Sequence, residues 1–224
     1  MTRPTSALAP SRVAHTQWVE GSATTVAALR PTLGYSHPMH AEALSRRHFS
    51  TAEFEAMVAA GIFRSDEHIE LLEGQVVMSP PQGPEHAGCT TVMGELLREA
   101  YGPGHVIREA KPLVVDGESL PEPDLVVLAG GPRDWIVRHP RADEARLVVE
   151  ASWTSQPVDR AKAAIYAKGG VAVYWHLDLA ARRLYVHTKP HGDGRYERVH
   201  VLAEGDAVTP PGTTTSLRVA ALLP

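Results

Sequence analysis

Pro123-Asp124-Leu125-Val126-Val127-Leu128 and Arg146-Leu147-Val148-Val149-Glu150-Ala151-Ser152 are two apolar runs of strand length, each carrying one carboxylate that does not fit its neighbours. Asp124 opens the first run and Glu150 stands near the close of the second, so both acids sit at strand margins. The segment that follows reads as a helix on which Asp159, Lys162 and Tyr166 fall at i, i+3 and i+7, on one face. Two carboxylates and a lysine converging at the end of a sheet would make a metal site. Taken singly, the acids have plainer readings: Asp124 as a turn cap after Pro123, Glu150 as the ion-pair partner of Lys162 or Arg160.

The flanking chain supplies the rest of a mixed fold. Ser50-Thr51-Ala52-Glu53 has the spacing of a capping box and predicts a short helix over 51–60, ended by Gly61. Residues 69–72 and 75–78 predict a hairpin across Glu73-Gly74, with Glu70 facing opposite to Ile69 and Leu71, the usual place of a solvent-facing residue on an edge strand. A second helix is predicted over 85–101, with Val92, Met93, Leu96 and Leu97 as its apolar stripe. Residues 106–115 read as a strand bent at Pro112, which Asp116-Gly117 turns into an antiparallel partner, the Asp124 strand. A loop around Trp135 precedes the Glu150 strand, a helix over 158–168 ends at Gly169-Gly170, and strands follow over 171–177, 183–188 and 195–202. This order predicts an α/β (α+β) class: a mixed sheet with helices packed against it.

A chain of 224 residues supports one well-filled core better than two. We expect a folded domain over 45–224 and, over 1–44, a mobile or loosely packed arm rich in Ala, Thr, Ser and Pro, in which Trp18 hints at some docking. Met39 stands just before the folded part, so a later translation start would leave the domain whole. The formal net charge of −4 counts against an avid, non-specific binder of nucleic acid, so such binding would need a local basic patch or a metal ion. The single Cys89 permits no internal disulfide and no thiolate metal site, and a reducing cytosol is the expected compartment. No apolar run reaches the roughly 20 residues of a membrane span, and no apolar stretch of a secretory signal follows Arg3 and Arg12.

Several phrases recur together in a known order: His68-Ile-Glu70-Leu-Leu-Glu73-Gly74-Gln-Val-Val-Met78-Ser-Pro80, Glu85-His86, Pro123-Asp124-Leu-Val-Val, Leu147-Val-Val-Glu150-Ala-Ser152, Asp159-Arg-Ala-Lys162-Ala-Ala-Ile-Tyr166 and Gly170-Val-Ala-Val-Tyr174-Trp175-His-Leu-Asp178. With these the chain, from about Phe49 to Leu223, resembles the Uma-two (Uma2) family of the PD-(D/E)XK, restriction-endonuclease-like nuclease superfamily. The resemblance implies a nuclease-like core in which acids on neighbouring strands hold a divalent ion, Mg2+ or Mn2+. By position, Asp124 is the acid of the Pro-Asp motif, Glu150 the acid of the next strand and Glu70 the upstream acid. The superfamily's lysine, two places after the second acid, is here Ser152, and a lysine on the next helix, Lys162, takes its place. The chain departs from the pattern at Val173, where the family often has an acid before the Tyr-Trp pair, and in the N-terminal arm, which has no counterpart.

The resulting expectation is a cytosolic, Mg2+-dependent endonuclease acting on DNA. Asp124 and Glu150 bind metal directly, Glu70 holds a water or second ion, and Lys162 orients or activates the attacking water or stabilises the charged transition state. A homodimer is expected from the resemblance alone. Two alternatives stay open: a catalytically silent descendant that binds a partner or dimerises, its acids kept as an ion-pair network, and a hydrolase of another phosphate ester. The 12 histidines are scattered and none makes a His-x-x-x-His pair on a helix, as zinc would need; only His86, at a helix start, invites attention, with capping or packing as its plainer role. Tyr166, Tyr174 and Trp175 read as core, Cys89 as a small buried apolar residue, and no Gly-x-Ser-x-Gly elbow surrounds Ser152 or Ser155.

Overall fold

The computed structural model describes residues 46–79, 81–153 and 156–224, without the side chains of 156–160. The predicted N-terminal arm and the Asp159 and Arg160 side chains lie outside the described residues. Helix α1 (Thr51–Ala59) starts from the expected capping box: Ser50 Oγ accepts from the Glu53 amide and Glu53 accepts from the Ser50 amide. Strands β1 (His68–Leu72) and β2 (Gln75–Ser79) pair antiparallel. Their two-residue turn has φ of 48° at Glu73 and 73° at Gly74, the left-handed pair that matches strand twist. A Cβ on Gly74 would meet His48 Cβ at 2.6 Å, so glycine is required there for space as well.

Helix α2 (Pro84–Tyr101) leads into the main sheet, formed by β3 (His105–Glu109), β4 (Leu125–Ala129), β5 (Ala145–Ser152), β6 (Val173–Asp178), β7 (Arg183–His191) and β8 (Arg195–Ala203). These six strands lie side by side in sequence order, and only the β5–β6 pair is parallel. Helix α3 (Gln156–Lys168) makes the crossover that a parallel pair needs. A two-stranded pair, β9 (Ala207–Val208) with β10 (Leu217–Arg218), follows, and a 3-10 turn over Val219–Leu222 closes the chain.

Alternation along β4 and β5 divides the core between two faces of the sheet. Leu125, Val127, Leu147, Val149 and Ala151 pack with Cys89, Met93 and Leu97 of α2. Val126, Leu128 and Val148 pack with Ile165 and Tyr166 of α3 and Tyr174 of β6. Because both faces are covered, the central strands read as continuous apolar runs rather than alternating ones. Glu150 has the parity of Val148, and therefore faces the α3 side.

Two details differ from the sequence reading. Val92 is 45% exposed, and the buried side of α2 runs instead through Cys89, Met93, Gly94 and Leu97. The predicted strand over 106–115 stops at Glu109, since Ala110 has φ of 45° and Val114 forms a separate bridge to Arg141. Proline at 112 cannot donate to a sheet ladder, which suits this departure from the β3 line. Among the described residues no helix is long and apolar enough to cross a membrane.

Candidate active site

The register of the sheet decides which acids meet. Leu125 lies opposite Val149 and Val126 opposite Val148, so one further step sets Asp124 opposite Glu150 on the same face. Asp124 Oδ2 accepts from the Ala151 amide at 2.8 Å, which fastens the start of β4 to the end of β5. Its Oδ1 faces His86 Nε2 at 3.0 Å and Gln82 Nε2 at 3.2 Å, brought from the first turn of α2 and the segment before it.

Across the sheet face, α3 delivers two donors one turn apart to a single oxygen. Glu150 Oε1 accepts from Lys162 Nζ at 2.9 Å and from the Tyr166 hydroxyl at 2.6 Å. Lys162 Nζ also donates to Glu70 Oε1 at 3.0 Å, and that same oxygen accepts from the Glu122 amide at 2.7 Å. The hairpin can present Glu70 here because Leu71 and Leu120 exchange backbone hydrogen bonds, pinning β1 against the segment that leads to Asp124. Leu71 itself points the other way, into a small core with Phe54 and Leu120. Glu70 is therefore an inward residue, 5% exposed, and not the solvent-facing one that its place on a short hairpin suggests.

The four residues Glu70, Asp124, Glu150 and Lys162 thus converge, with the three carboxylates only 5%, 8% and 7% exposed. Three acids face one ammonium, so the cluster carries a surplus of negative charge. Burial raises the Glu150 carboxyl, with Asp124 and Glu70 adding to the rise and Lys162 and Tyr166 opposing it. Burial alone would lower the Lys162 ammonium, but Glu150 and Glu70 outweigh it and hold the group protonated. His86 is raised chiefly by its hydrogen bond to Asp124, and Glu122 by burial and then by the Glu70 charge. Tyr166, buried and next to Glu150, is held well above its usual value and stays a neutral donor.

These features fit a divalent ion of the Mg2+ class. The donors are hard carboxylate oxygens, and such an ion takes one or two of them and completes its shell with waters and phosphate oxygens. Asp124 and Glu150, opposed across β4 and β5, are the pair with that chemistry. Glu70 is engaged by Lys162 and an amide. Among the described residues no group of three His, Cys, Asp or Glu side chains is arranged to hold a metal by itself. Ser152, in the superfamily's lysine position, meets His176 Nε2 at 2.8 Å, while the lysine reaches Glu150 from α3.

The four side chains singled out in the sequence lie together, and the groups around them carry little signal in it. Gln82 lies in a proline and glycine stretch that offers no periodicity, and the Glu122 contact is made by a backbone amide, which no side-chain motif records. Tyr166 shares the helix face of Lys162 but reads as core, and it is both buried, at 0% exposure, and a donor to Glu150. His86 contacts Asp124 directly, so its role exceeds capping or packing.

A family model described as "Uma2: Putative restriction endonuclease" matches residues 51–221. Among solved structures, the chain is similar to "a putative nuclease belonging to DUF820" from Anabaena variabilis, with 17% identity, a TM-score of 0.55, and coverage of 69% of this chain and 88% of that one. At that identity the likeness speaks for the fold. No curated protein matches the chain.

Proposed function

The chain belongs to the Uma2 family, in the restriction-endonuclease-like superfamily, and from that premise we propose that it is a divalent-metal-dependent nuclease hydrolysing phosphodiester bonds of DNA. The observation that carries this reading is the surplus of buried negative charge where Asp124 and Glu150 face each other, with a protonated lysine against it. Asp124 and Glu150 would hold Mg2+ or Mn2+, with Glu70 as an auxiliary acid. When bound, the ion supplies Lewis-acid activation of water and neutralises charge on the phosphoryl group. Asp124 is kept in place by the Ala151 amide, and Glu150 is oriented by the Tyr166 hydroxyl. Because its neighbours hold Lys162 protonated, it acts as a donor toward developing negative charge in preference to a base. Glu70 keeps that ammonium aimed at the site.

The test is cleavage of duplex DNA, single-stranded DNA, RNA and a simple phosphodiester, each with Mg2+, with Mn2+ and with chelator. Chelator-sensitive cleavage of DNA that Glu150→Gln abolishes is the expected result. Cleavage of the simple ester alone would reassign the substrate class. A second reading is favoured by one observation: Lys162 already pairs with both Glu70 and Glu150, as a purely structural network would. On that reading the protein is a silent binding or dimerisation module, and no substrate is cleaved with either metal.

A further inference from the structure

Away from the acids, the loop over 130–141 and strand β3 enclose a cleft of about 630 Å³ whose lining includes Arg108, Trp135, Arg138, His139, Arg141 and Glu55. Arg108 lies opposite Val126 in the β3–β4 register and so shares the sheet face of Asp124, two residues farther along β4. Two of the lining residues carry a buried donor, Arg108 Nη1 and the Trp135 indole Nε1, that has no hydrogen-bond partner. Neither group can accept a hydrogen bond, so only an acceptor can satisfy them. Leaving a buried donor unmet is costly, and more so for a charged one.

Among the described residues no carboxylate pairs with Arg108, and Arg141 has only a 3.6 Å approach to Asp143. Arg138, by contrast, is held by Glu144 through two contacts of 2.6 and 2.7 Å, with its guanidinium 5.2 Å from the centre of the Trp135 ring. Glu55, on α1, is the one acid in the lining, and it is exposed. The lining therefore combines one unsatisfied guanidinium donor, Arg108 Nη1, with an aromatic ring braced by an arginine. That is the equipment of a site for an oxyanion on a strand, beside a base.

We propose that this cleft binds a phosphate of the nucleic-acid strand being cut, at a point outside the acidic centre, with Arg108 and the Trp135 indole as its donors and Arg141 at its rim. The assignment rests on the nuclease reading for the identity of the strand, while the anion site stands on its own donors. The cleft supplies affinity and alignment, which the acidic surface around Asp124 cannot.

The probe is the indole N–H resonance of Trp135 in the full-length protein, one of four tryptophans, assigned with Trp135→Phe. Inorganic phosphate and a short single-stranded DNA are titrated separately. Both should shift that resonance saturably, and Arg108→Met should weaken each at least tenfold. Arg141→Gln, at a side chain 64% exposed and therefore safe for folding, should lower the slope of log affinity for DNA against log salt by about one. In Arg108→Met the KM for DNA should rise. A response to phosphate without one to DNA would overturn the strand assignment, and no response to either would overturn the site. Loss of all hydrolysis in wild type with the DNA shift intact would sink the nuclease reading and leave the cleft standing.

Discussion

Replacing Lys162 by Met removes the ammonium and leaves most of the side chain's bulk. The group sits 2.9 Å from Glu150 Oε1 and 3.0 Å from Glu70 Oε1, with the lysine side chain 11% exposed and the acids 9% and 6%. Removing one member of a buried pair costs about 3–5 kcal/mol, because the remaining charges lose their counter-ion and not merely a contact. For a chain of this size each kcal/mol moves Tm by about 2–4 °C, so the variant should melt on the order of 10 °C below wild type. The assay is thermal unfolding followed by circular dichroism in chelator at pH 8. The double variant Lys162→Met with Glu150→Gln should recover part of the loss, since it removes one stranded carboxylate. Lowering the pH should also narrow the gap, as a proton replaces the missing cation on the Glu150 carboxyl, already raised by burial. A Lys162→Met protein melting within about 2 °C of wild type at pH 8 would refute the reasoning, because it would place the ammonium in solvent.

Three further outcomes are expected. Gly74→Ala should destabilise the fold by about 2 kcal/mol or more, read as a shift in urea midpoint at constant slope, because φ of 73° and the His48 Cβ both oppose a side chain. Ser50→Ala should cost about 1 kcal/mol in the same assay by breaking the capping box of α1. Burial, and then His176, lower His187 to about 4, so the unfolded chain takes up its proton first, near 6.5. That contribution is complete above pH 6.5 and is lost as pH falls toward 4, by at most about 3 kcal/mol and less for a ring that is partly exposed. His187→Phe, keeping the ring contacts to Tyr174 and Tyr196, should flatten stability over that range.

The order of elements and the approach of Lys162 to Asp124 and Glu150 could be read from the sequence, because each of these two acids interrupts an apolar run and the lysine follows on the next helix, whereas only the family resemblance pointed to Glu70. The turn at Glu73-Gly74 and the capping box at Ser50 are local signals and appeared where expected. What escaped depended on distant pairing. Glu70 faces inward because Leu71 locks to Leu120, a contact between residues 49 apart in sequence, by their numbers, that no strand pattern contains. The break after Glu109 is set by Ala110 in a left-handed conformation, where the apolar run through Leu113 to Val115 reads as continued strand. Gln82 and the Glu122 amide belong to the site only through the way α2 and the 110–124 excursion pack around Asp124 and Glu70.

The most direct test of the account is calorimetric titration of metal-free protein with Mn2+ and with Mg2+, comparing wild type with Asp124→Asn and Glu150→Gln. One saturable site in wild type, lost or weakened at least tenfold in both variants while their circular dichroism spectra remain native, is the predicted result. Equal metal binding by all three proteins, or none by the wild type, would contradict a metal centre built on Asp124 and Glu150.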